Sequence, residues 1–327
     1  MELRAITDGE IAAFRHALIT TFGGDPAHDP DGDERFRALI PAGRAFAAFD
    51  RGAVVATAAS FAMSLTVPGG ATLPMAGLTM VTVRPTHRRR GVLRRLIATH
   101  LADARAHGDP VSGLWASEAS IYGRFGYGLA AEADELAFVA TDHVVAADRT
   151  PDQLDDVDAI TADDAAVLLP PVYDAVRRTR PAMYARSRAW WKHRRFADRP
   201  DLRGSNSPRR HAVTLRAGAV TGYVVYRQRL AWDAGVAAGK LEIEELLATD
   251  ARAEATLWRF VAGIDLFPNV AWWNAPVDSP LPWLVADARR LRRRRTDTLW
   301  LRVEDVAATL AARTYAADGV VRVAVTD

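Results

Sequence analysis

The 327-residue chain contains no cysteine. Disulfides, thiolate metal sites and cysteine nucleophiles are excluded on that ground alone. Lysine is nearly missing too. Of 42 basic residues only Lys192 and Lys240 are lysines, so the positive charge is carried by guanidinium groups, which favour forked contacts to phosphate and carboxylate. Charge of one sign is lacking: the net value is +2, which gives the whole molecule no pull toward nucleic acid or an anionic membrane. No run of about 20 apolar residues is present to cross a bilayer. Met1–Glu10 carries Glu2, Asp8 and Glu10, where a secretory leader needs a basic start and an apolar stretch. The expectation is a cytoplasmic protein without membrane or nucleic-acid partners. The content of 49% hydrophobic and 25% charged residues is that of an ordinary globular chain, and the length predicts about two or three domains.

Apolar spacing at Ile11, Phe14, Leu18 and Phe22 predicts a helix over 11–22. The Gly, Asp and Pro content of 23–33 predicts a mobile loop. Strands are expected at Ala45–Phe49, Ala53–Met63, Leu78–Val83 and Val111–Trp115. Between the last two, Leu93, Leu96, Ile97, Leu101 and Ala104 form one apolar face of a helix from about Arg90 to His107. Strand, helix and strand in that order predict a parallel crossover. A polar, acidic segment, Ala147–Asp164, reads as the end of a first domain. From there to Arg295 helices are expected at Leu168–Arg178, Arg188–Arg195 and Ala251–Ile264, and strands at His211–Arg216, Val220–Arg227 and Lys240–Leu247. A new strand–helix–strand pattern is expected at 299–303, 306–315 and 320–325.

Two stretches carry chemistry. In Val81-Thr-Val-Arg-Pro-Thr-His-Arg-Arg-Arg-Gly-Val-Leu93, a β-branched strand stops at Pro85, and a basic, glycine-containing turn then enters the amphipathic helix. The free amides of a helix N-terminus suit a pyrophosphate. Gly91 allows close backbone approach. Arg88, Arg89 and Arg90 stand at the wrong end of the helix for its dipole, a placement that anion binding explains. A merely solvated arginine run is the alternative; the strand before and the helix after it weigh against that.

In Ala116-Ser-Glu-Ala-Ser-Ile-Tyr-Gly-Arg-Phe-Gly-Tyr-Gly128, three glycines and three aromatics predict a shaped turn after a strand. A phenol, with a pKa of about 10, is protonated at neutral pH and can act as a general acid toward a departing thiolate. Tyr122 and Tyr127 both compete for that role. Both also suit the commoner part of half-buried anchors.

Together these stretches resemble the Eis (enhanced intracellular survival) family of GNAT N-acetyltransferases. Further similarity runs through Trp190-Trp191, Gly222-Tyr-Val-Val-Tyr226, Leu257-Trp-Arg-Phe260, Leu284–Arg289 and Asp297–Asp305, so it covers essentially the whole chain. The resemblance implies an α/β (α+β) fold: tandem GNAT-like mixed sheets flanked by helices, plus a partial, sterol-carrier-like C-terminal domain. Placed on the sequence, this gives a catalytic domain over 1–150, a degenerate GNAT-like domain over 151–295, and an incomplete third region over 296–327. It also implies acetyl-CoA as donor, small-molecule amines, notably of aminoglycosides, as acceptors, and a homo-oligomer, a hexamer in this family. Val81, Thr82 and Val83 then hold the pantetheine arm, the first and last through their backbone. Arg88, Arg89, Arg90, Gly91, Val92 and Leu93 cradle the pyrophosphate. Tyr122 is the general acid, chosen over Tyr127 by the family motif, with Ser117 beside the cofactor. The family's base is a terminal carboxylate reached after several more elements. This sequence ends at Asp327, and the base is left unassigned.

The alternatives are a protein or peptide lysine acetyltransferase and a non-catalytic acyl-CoA-binding protein. Arg289–Arg295, six arginines in seven positions, reads as a solvated interdomain linker, with a phosphate-binding patch as the other reading. His87, His100, His107, His193 and His211 lack metal-site spacing, and no metal is expected. The acidic loop Asp25–Asp33 reads as flexible, with attraction of a polycationic acceptor as the alternative. Phe22, Phe36, Phe61 and Met63 suit pocket wall and core equally.

Overall fold

The computed structural model describes residues 1–140, 145, 151 and 153–325. In chain order the strands are β1 (Glu2–Ala5), β2 (Ala45–Asp50), β3 (Ala53–Thr66), β4 (Thr72–Val83), β5 (Val111–Trp115), β6 (Gly128–Val139), β7 (Asp156–Ile160), β8 (Arg210–Arg216), β9 (Ala219–Arg229), β10 (Trp232–Asp233), β11 (Val236–Ala237), β12 (Lys240–Ala248), β13 (Asn269–Pro276) and β14 (Arg292–Val303). The helices are α1 (Ile11–Thr21), α2 (Gly32–Leu39), α3 (Val92–Ala106), α4 (Ala162–Thr179), α5 (Arg188–Trp190), α6 (Pro200–Arg203), α7 (Ala251–Ala262), α8 (Leu281–Leu284) and α9 (Val306–Ala311).

The chain divides into two compact units. The first holds Met1–Ala131, Arg177–His193 and the residues from Thr298 onward. Its strands run in the order β1-β2-β3-β4-β5-β14. Neighbours are antiparallel except β4 and β5, which pair in parallel through Met75↔Val111, Ala76↔Ser112 and Gly77↔Gly113. The two-residue period of β2 serves both faces. Phe46 and Ala48 join the core under α3, while Ala45 and Ala47 join the one under α1 and α2. On α3, Val92, Leu96, Ile97 and Leu101 pack into the first of these clusters with Leu78 and Leu114, as the spacing predicts.

The second unit holds Glu132–Val176 and Arg194–Asp297. Its strand order is β6-β13-β12-β9-β8-β7. Here β12 and β13 are the parallel pair, with register Lys240↔Asn269 to Ile243↔Trp272, and α7 makes the crossover. Leu257, Trp258 and Val261 of α7 pack with Leu241, Ile243, Val270 and Trp272. The indoles of Trp258 and Trp272 stand 5.9 Å apart.

Several sequence expectations change. The compact units divide at Ala131/Glu132 within β6 and at Asp297/Thr298 within β14, and Arg177–His193 returns to the first unit. β6 pairs with β13 from Ala133 to Val139, whereas the end of β14, Leu299–Val303, pairs with β5 and so belongs with the first unit. Arg289–Arg295 is not a linker. From Arg292 it is strand, beside the acidic β6, with Arg294 on Glu135 at 2.7 Å and Arg295 on Asp134 at 2.7 Å. Alternating guanidinium and carboxylate partners suit a strand pair and remove much of a phosphate patch's free charge. Residues 23–33 carry a 3-10 turn at Pro26–His28 and the start of α2, and Arg15 and Arg35 hold Asp29 there. Val320–Val325 is not a strand. Residues 147–150 and 152 of the acidic boundary segment, and Asp327 itself, lie outside the described residues.

Candidate active site

The site is built where β4 and β5 separate. Their pairing ends at Gly77↔Gly113, but β4 continues to Val83. At Met80 the backbone turns left-handed, with φ 56°. The register with β3 shifts there, from Thr57↔Thr82 to Ala59↔Thr79, which marks a bulge that bends β4. Two threonines brace it. The Thr57 hydroxyl donates to the Met80 carbonyl at 2.7 Å and lies 2.7 Å from the Thr82 hydroxyl. Thr82 is therefore buried against β3, while Val81 and Val83 are only half-buried. Beyond Gly77, no strand among the described residues covers the β5-facing edge of β4. An extended chain fits such an edge by adding itself as a strand.

The basic turn follows directly. After Pro85–His87, Arg89 (φ 60°) and Gly91 (φ 74°) both take left-handed backbone, and α3 starts at Val92. Residues of alternating hand turn successive amides toward one point, the geometry of an anion-binding concavity. Among the described residues, the amides of Gly91, Val92 and Leu93 have no backbone acceptor. Nothing lies within 4 Å of where a Gly91 Cβ would stand, so the space before the helix end is open. Arg88, Arg89 and Arg90 are exposed, and none meets a carboxylate among the described residues. Arg88 Nε only reaches the Val83 carbonyl at a long 3.5 Å. Open amides, a positive helix end and unpaired guanidiniums fit a pyrophosphate.

Tyr122 lies past the end of β5, in a turn held from several sides. Its carbonyl accepts from the Phe125 amide at 2.9 Å. Gly126, at φ 81°, leaves room for Arg302 because it has no Cβ, which would collide with that guanidinium; Arg302 Nη1 donates to the Phe125 carbonyl at 3.0 Å. Arg302 is itself held by the buried Glu304 at 2.6 Å, which also binds Arg105 of α3 at 2.7 Å. The Tyr122 ring is buried, and its hydroxyl bonds to nothing among the described residues. Burial first, and then the Glu118 charge, raise its pKa, which keeps the phenol protonated at neutral pH.

Tyr127 packs edge-on to Tyr122, centroids 6.0 Å apart and planes at 75°, yet its hydroxyl is engaged. It lies 2.7 Å from Ser112 Oγ. Ser112 Oγ is in turn 2.7 Å from His100 Nε2, and His100 Nδ1 is 2.6 Å from Ser60 Oγ. Burial pushes the Tyr127 phenol well above the ordinary range. Burial, with Arg44 adding to it, lowers His100 to about 3.

Of the residues singled out in the sequence, the structure brings Val81, Val83 and the 88–93 turn to one end of the β4 edge. Ser117 is exposed on the connection between β5 and Tyr122. Phe36 and Phe61 are core, whereas Phe22 is 65% exposed. Sequence reading missed Ser112, His100 and Arg302. A usable signal was present for one: His100 falls on the apolar face of α3, between Leu96 and Ala104 at four-residue steps. A polar residue there needs a partner.

Two models described as "Acetyltransferase (GNAT) domain" match the chain, at residues 2–130 and 182–303. GNAT domains in general use acetyl-CoA. A Streptomyces coelicolor protein named an uncharacterized N-acetyltransferase is 40% identical over 325 residues, covering 97% of this chain and 77% of the relative. The N-acetyltransferase Eis of Mycobacterium tuberculosis is 33% identical over 294 residues, covering 88% and 70%. Among solved structures, Eis1 from Mycobacterium abscessus superposes with a TM-score of 0.78 at 28% identity, covering 96% of this chain and 77% of that one. With two GNAT domains and relatives of this identity along nearly all its length, the chain belongs to the Eis family of GNAT N-acetyltransferases.

Proposed function

We propose that the protein moves the acetyl group of acetyl-CoA to a primary amine of a small polyamine acceptor of the aminoglycoside type, with Tyr122 as general acid. The neutral amine attacks the thioester carbonyl. The C–N bond forms, the C–S bond breaks, and the departing sulfur takes the Tyr122 proton. The amine's own proton leaves to a base that has no assigned residue. The backbone of Val81 and Val83 aligns the pantetheine arm along the open edge of β4, with Thr82 bracing the bulge from behind. Arg88, Arg89 and Arg90, with the amides of Gly91, Val92 and Leu93, take the pyrophosphate. Ser117 borders the thioester. The acceptor class and a hexameric assembly rest on the resemblance to the Eis family, and a cytoplasmic location on the character of the sequence.

The observation that carries this reading is the contrast between the two tyrosines. Tyr127 has its hydroxyl on Ser112, while that of Tyr122 has no partner among the described residues, so only Tyr122 has a proton free to give. Calorimetric titration with acetyl-CoA tests the first half. Binding is expected, and none up to about millimolar ligand, a gain below roughly 4 kcal/mol, sinks the reading. Tyr122→Phe tests the second half. Its turnover is expected to fall about a hundredfold with acetyl-CoA affinity kept; unchanged turnover removes Tyr122 as the acid. Thiol release measured against aminoglycosides and lysine peptides separates the acceptor classes. Acetyl-CoA binding without turnover on any amine identifies a binding protein instead.

A further inference from the structure

Ser60 of β3, His100 of α3, Ser112 of β5 and Tyr127 are buried together. Their protons can be placed by counting. His100 is neutral, since its pKa lies at about 3, so its ring has one N–H and one acceptor nitrogen. The Ser60 hydroxyl has Nδ1 as its side-chain partner, at 2.6 Å. Donation from Ser60 to Nδ1 leaves the ring proton on Nε2, where it points to Ser112 Oγ at 2.7 Å. Ser112 donates its one proton to the Ala76 carbonyl at 3.2 Å. Its oxygen is then left to accept from Nε2–H and, at 2.7 Å, from the Tyr127 phenol. This assignment satisfies every donor in the set, which a buried network requires; the opposite tautomer leaves a sealed hydroxyl without an acceptor.

The direction of those bonds has a consequence. Tyr127 gives its proton inward and cannot pass one to the reaction, and the chain of bonds ends at the fully buried Ser60. It is not a proton path. It is a fixture, and it sits where Ala76↔Ser112 and Gly77↔Gly113 are the last pairs before β4 and β5 separate. One histidine thus joins the helix that starts at the anion turn to both flanking strands and to the ring packed edge-on against Tyr122.

We propose that His100 is a positioning residue for Tyr122, acting through Ser112 and the Tyr127 ring. The proposal rests on Tyr122 being the general acid, and its test separates the two. In Tyr127→Phe, kcat for thiol release from acetyl-CoA, with neomycin as acceptor and with water alone, is expected to fall about tenfold. The acetyl-CoA Kd is expected to stay within about twofold. In a Tyr122→Phe background the same change is expected to cost nothing further. An equal loss in both backgrounds overturns the positioning role and leaves the acid assignment standing. No loss in Tyr122→Phe alone overturns the acid assignment and this proposal with it. His100→Gln, whose amide can bond toward Ser112, is expected to restore most of the kcat lost in His100→Ala. Equal rates in those two variants contradict the proposal, because the hydrogen bond then does not matter. A readout independent of turnover is the ¹⁵N spectrum of the histidine rings. One neutral, Nε2-protonated ring that does not titrate between about pH 5 and 9 is expected for His100, and an Nδ1-protonated ring overturns the bonding scheme.

Discussion

Both units contain the same device, two parallel strands joined through a helix, yet the helices begin differently. In the first unit α3 starts after a left-handed Gly91, with amides and three arginines that have no backbone acceptor or carboxylate partner, respectively, among the described residues. In the second, α7 starts after Asp250 in extended backbone (φ −154°), whose side chain accepts from the Ala253 amide at 3.0 Å. The Asp250 carboxylate also holds Arg216 at 2.9 Å, and that guanidinium keeps its pKa below the usual range. The positive end of α7 is thus already supplied with an anion from its own chain. The bulged parent strands show the same contrast. In β4 the bulge at Met80 opens an edge. In β12 the shift between Ile243 and Glu245 presents Glu244 to Arg209 at 2.6 Å and Arg227 at 2.5 Å. The proposed ligand site lies where a helix end is left unfilled. Where the chain fills it, the same topology serves as scaffold.

The largest test of that contrast removes charge from one helix end. Replacing Arg88 and Arg89 together by alanine is expected to weaken acetyl-CoA binding by about 3 kcal/mol, on the order of a hundredfold, if each makes a charge-assisted bond to phosphate. Arg216→Ala, in the second unit, is expected to leave the Kd unchanged. Calorimetry gives both numbers, and a stoichiometry of one acetyl-CoA per chain accompanies them. Two sites of similar affinity would break the comparison.

Acid acts on both units through a buried histidine, and a single variant separates their shares. The folded pKa of His100 is lowered to about 3, from about 6.5 when unfolded. Below 6.5 the unfolded chain therefore binds a proton that the fold refuses. The stabilisation is full above pH 6.5 and is lost progressively as pH falls toward 3. Between pH 6.5 and 5 this amounts to about 2 kcal/mol. His211 of the second unit is lowered in the same direction, first by burial and then by Arg209. Urea unfolding at several pH values is expected to show stability falling over that window. In His100→Gln the part of the slope due to the first unit should disappear. An unchanged slope would mean that His100 is not the group refusing the proton.

The next effect is backbone strain. An alanine at position 91 meets no neighbour within 4 Å, but the glycine it replaces has φ 74°. Holding alanine left-handed costs about 1–2 kcal/mol. Gly91→Ala is expected to weaken acetyl-CoA by up to about tenfold as the turn relaxes, with its thermal midpoint lowered. Full affinity in this variant would mean that the turn's hand does not matter to the ligand.

Much of the first unit is legible in the sequence, because its signals are local. The step from a two-residue to a 3.6-residue period between Val83 and Val92 marks strand, turn and helix, and the parallel β4–β5 pair follows from it. Less of the rest is legible. β14 reads as an arginine-rich linker because its partners, Asp134 and Glu135, lie some 160 residues away on β6, and only pairing makes alternating charge a strand. The run Leu299–Val303 reads as the start of a new domain because no local pattern says that it returns to β5. At the site, the Gly91 turn and both tyrosines stand out by composition. What distinguishes Tyr127 from Tyr122 is a bond to Ser112, a residue with no local signature. His100 is the middle case: its place on an apolar helix face is visible, and its partners are not.

The smallest effect tests whether self-filling alone silences the second helix end. Asp250→Ala removes the α7 cap and releases Arg216 from one of its two carboxylates, the other being Asp155 at 2.8 Å. Loss of the cap costs about 1 kcal/mol. The ion pair adds little, because both side chains are about a third or more exposed. A lower urea midpoint is therefore expected, with the affinity and stoichiometry of acetyl-CoA unchanged. Two features separate α7 from α3, the occupying carboxylate and the missing left-handed turn, and this variant removes only the first. With Arg216 and Arg252 both still held by Asp155, the emptied helix end lacks amides of alternating hand to converge on a phosphate. A second acetyl-CoA per chain in Asp250→Ala would show that occupancy alone silences that end, and the Gly91 turn would then be a refinement of the site in the first unit rather than a condition for it.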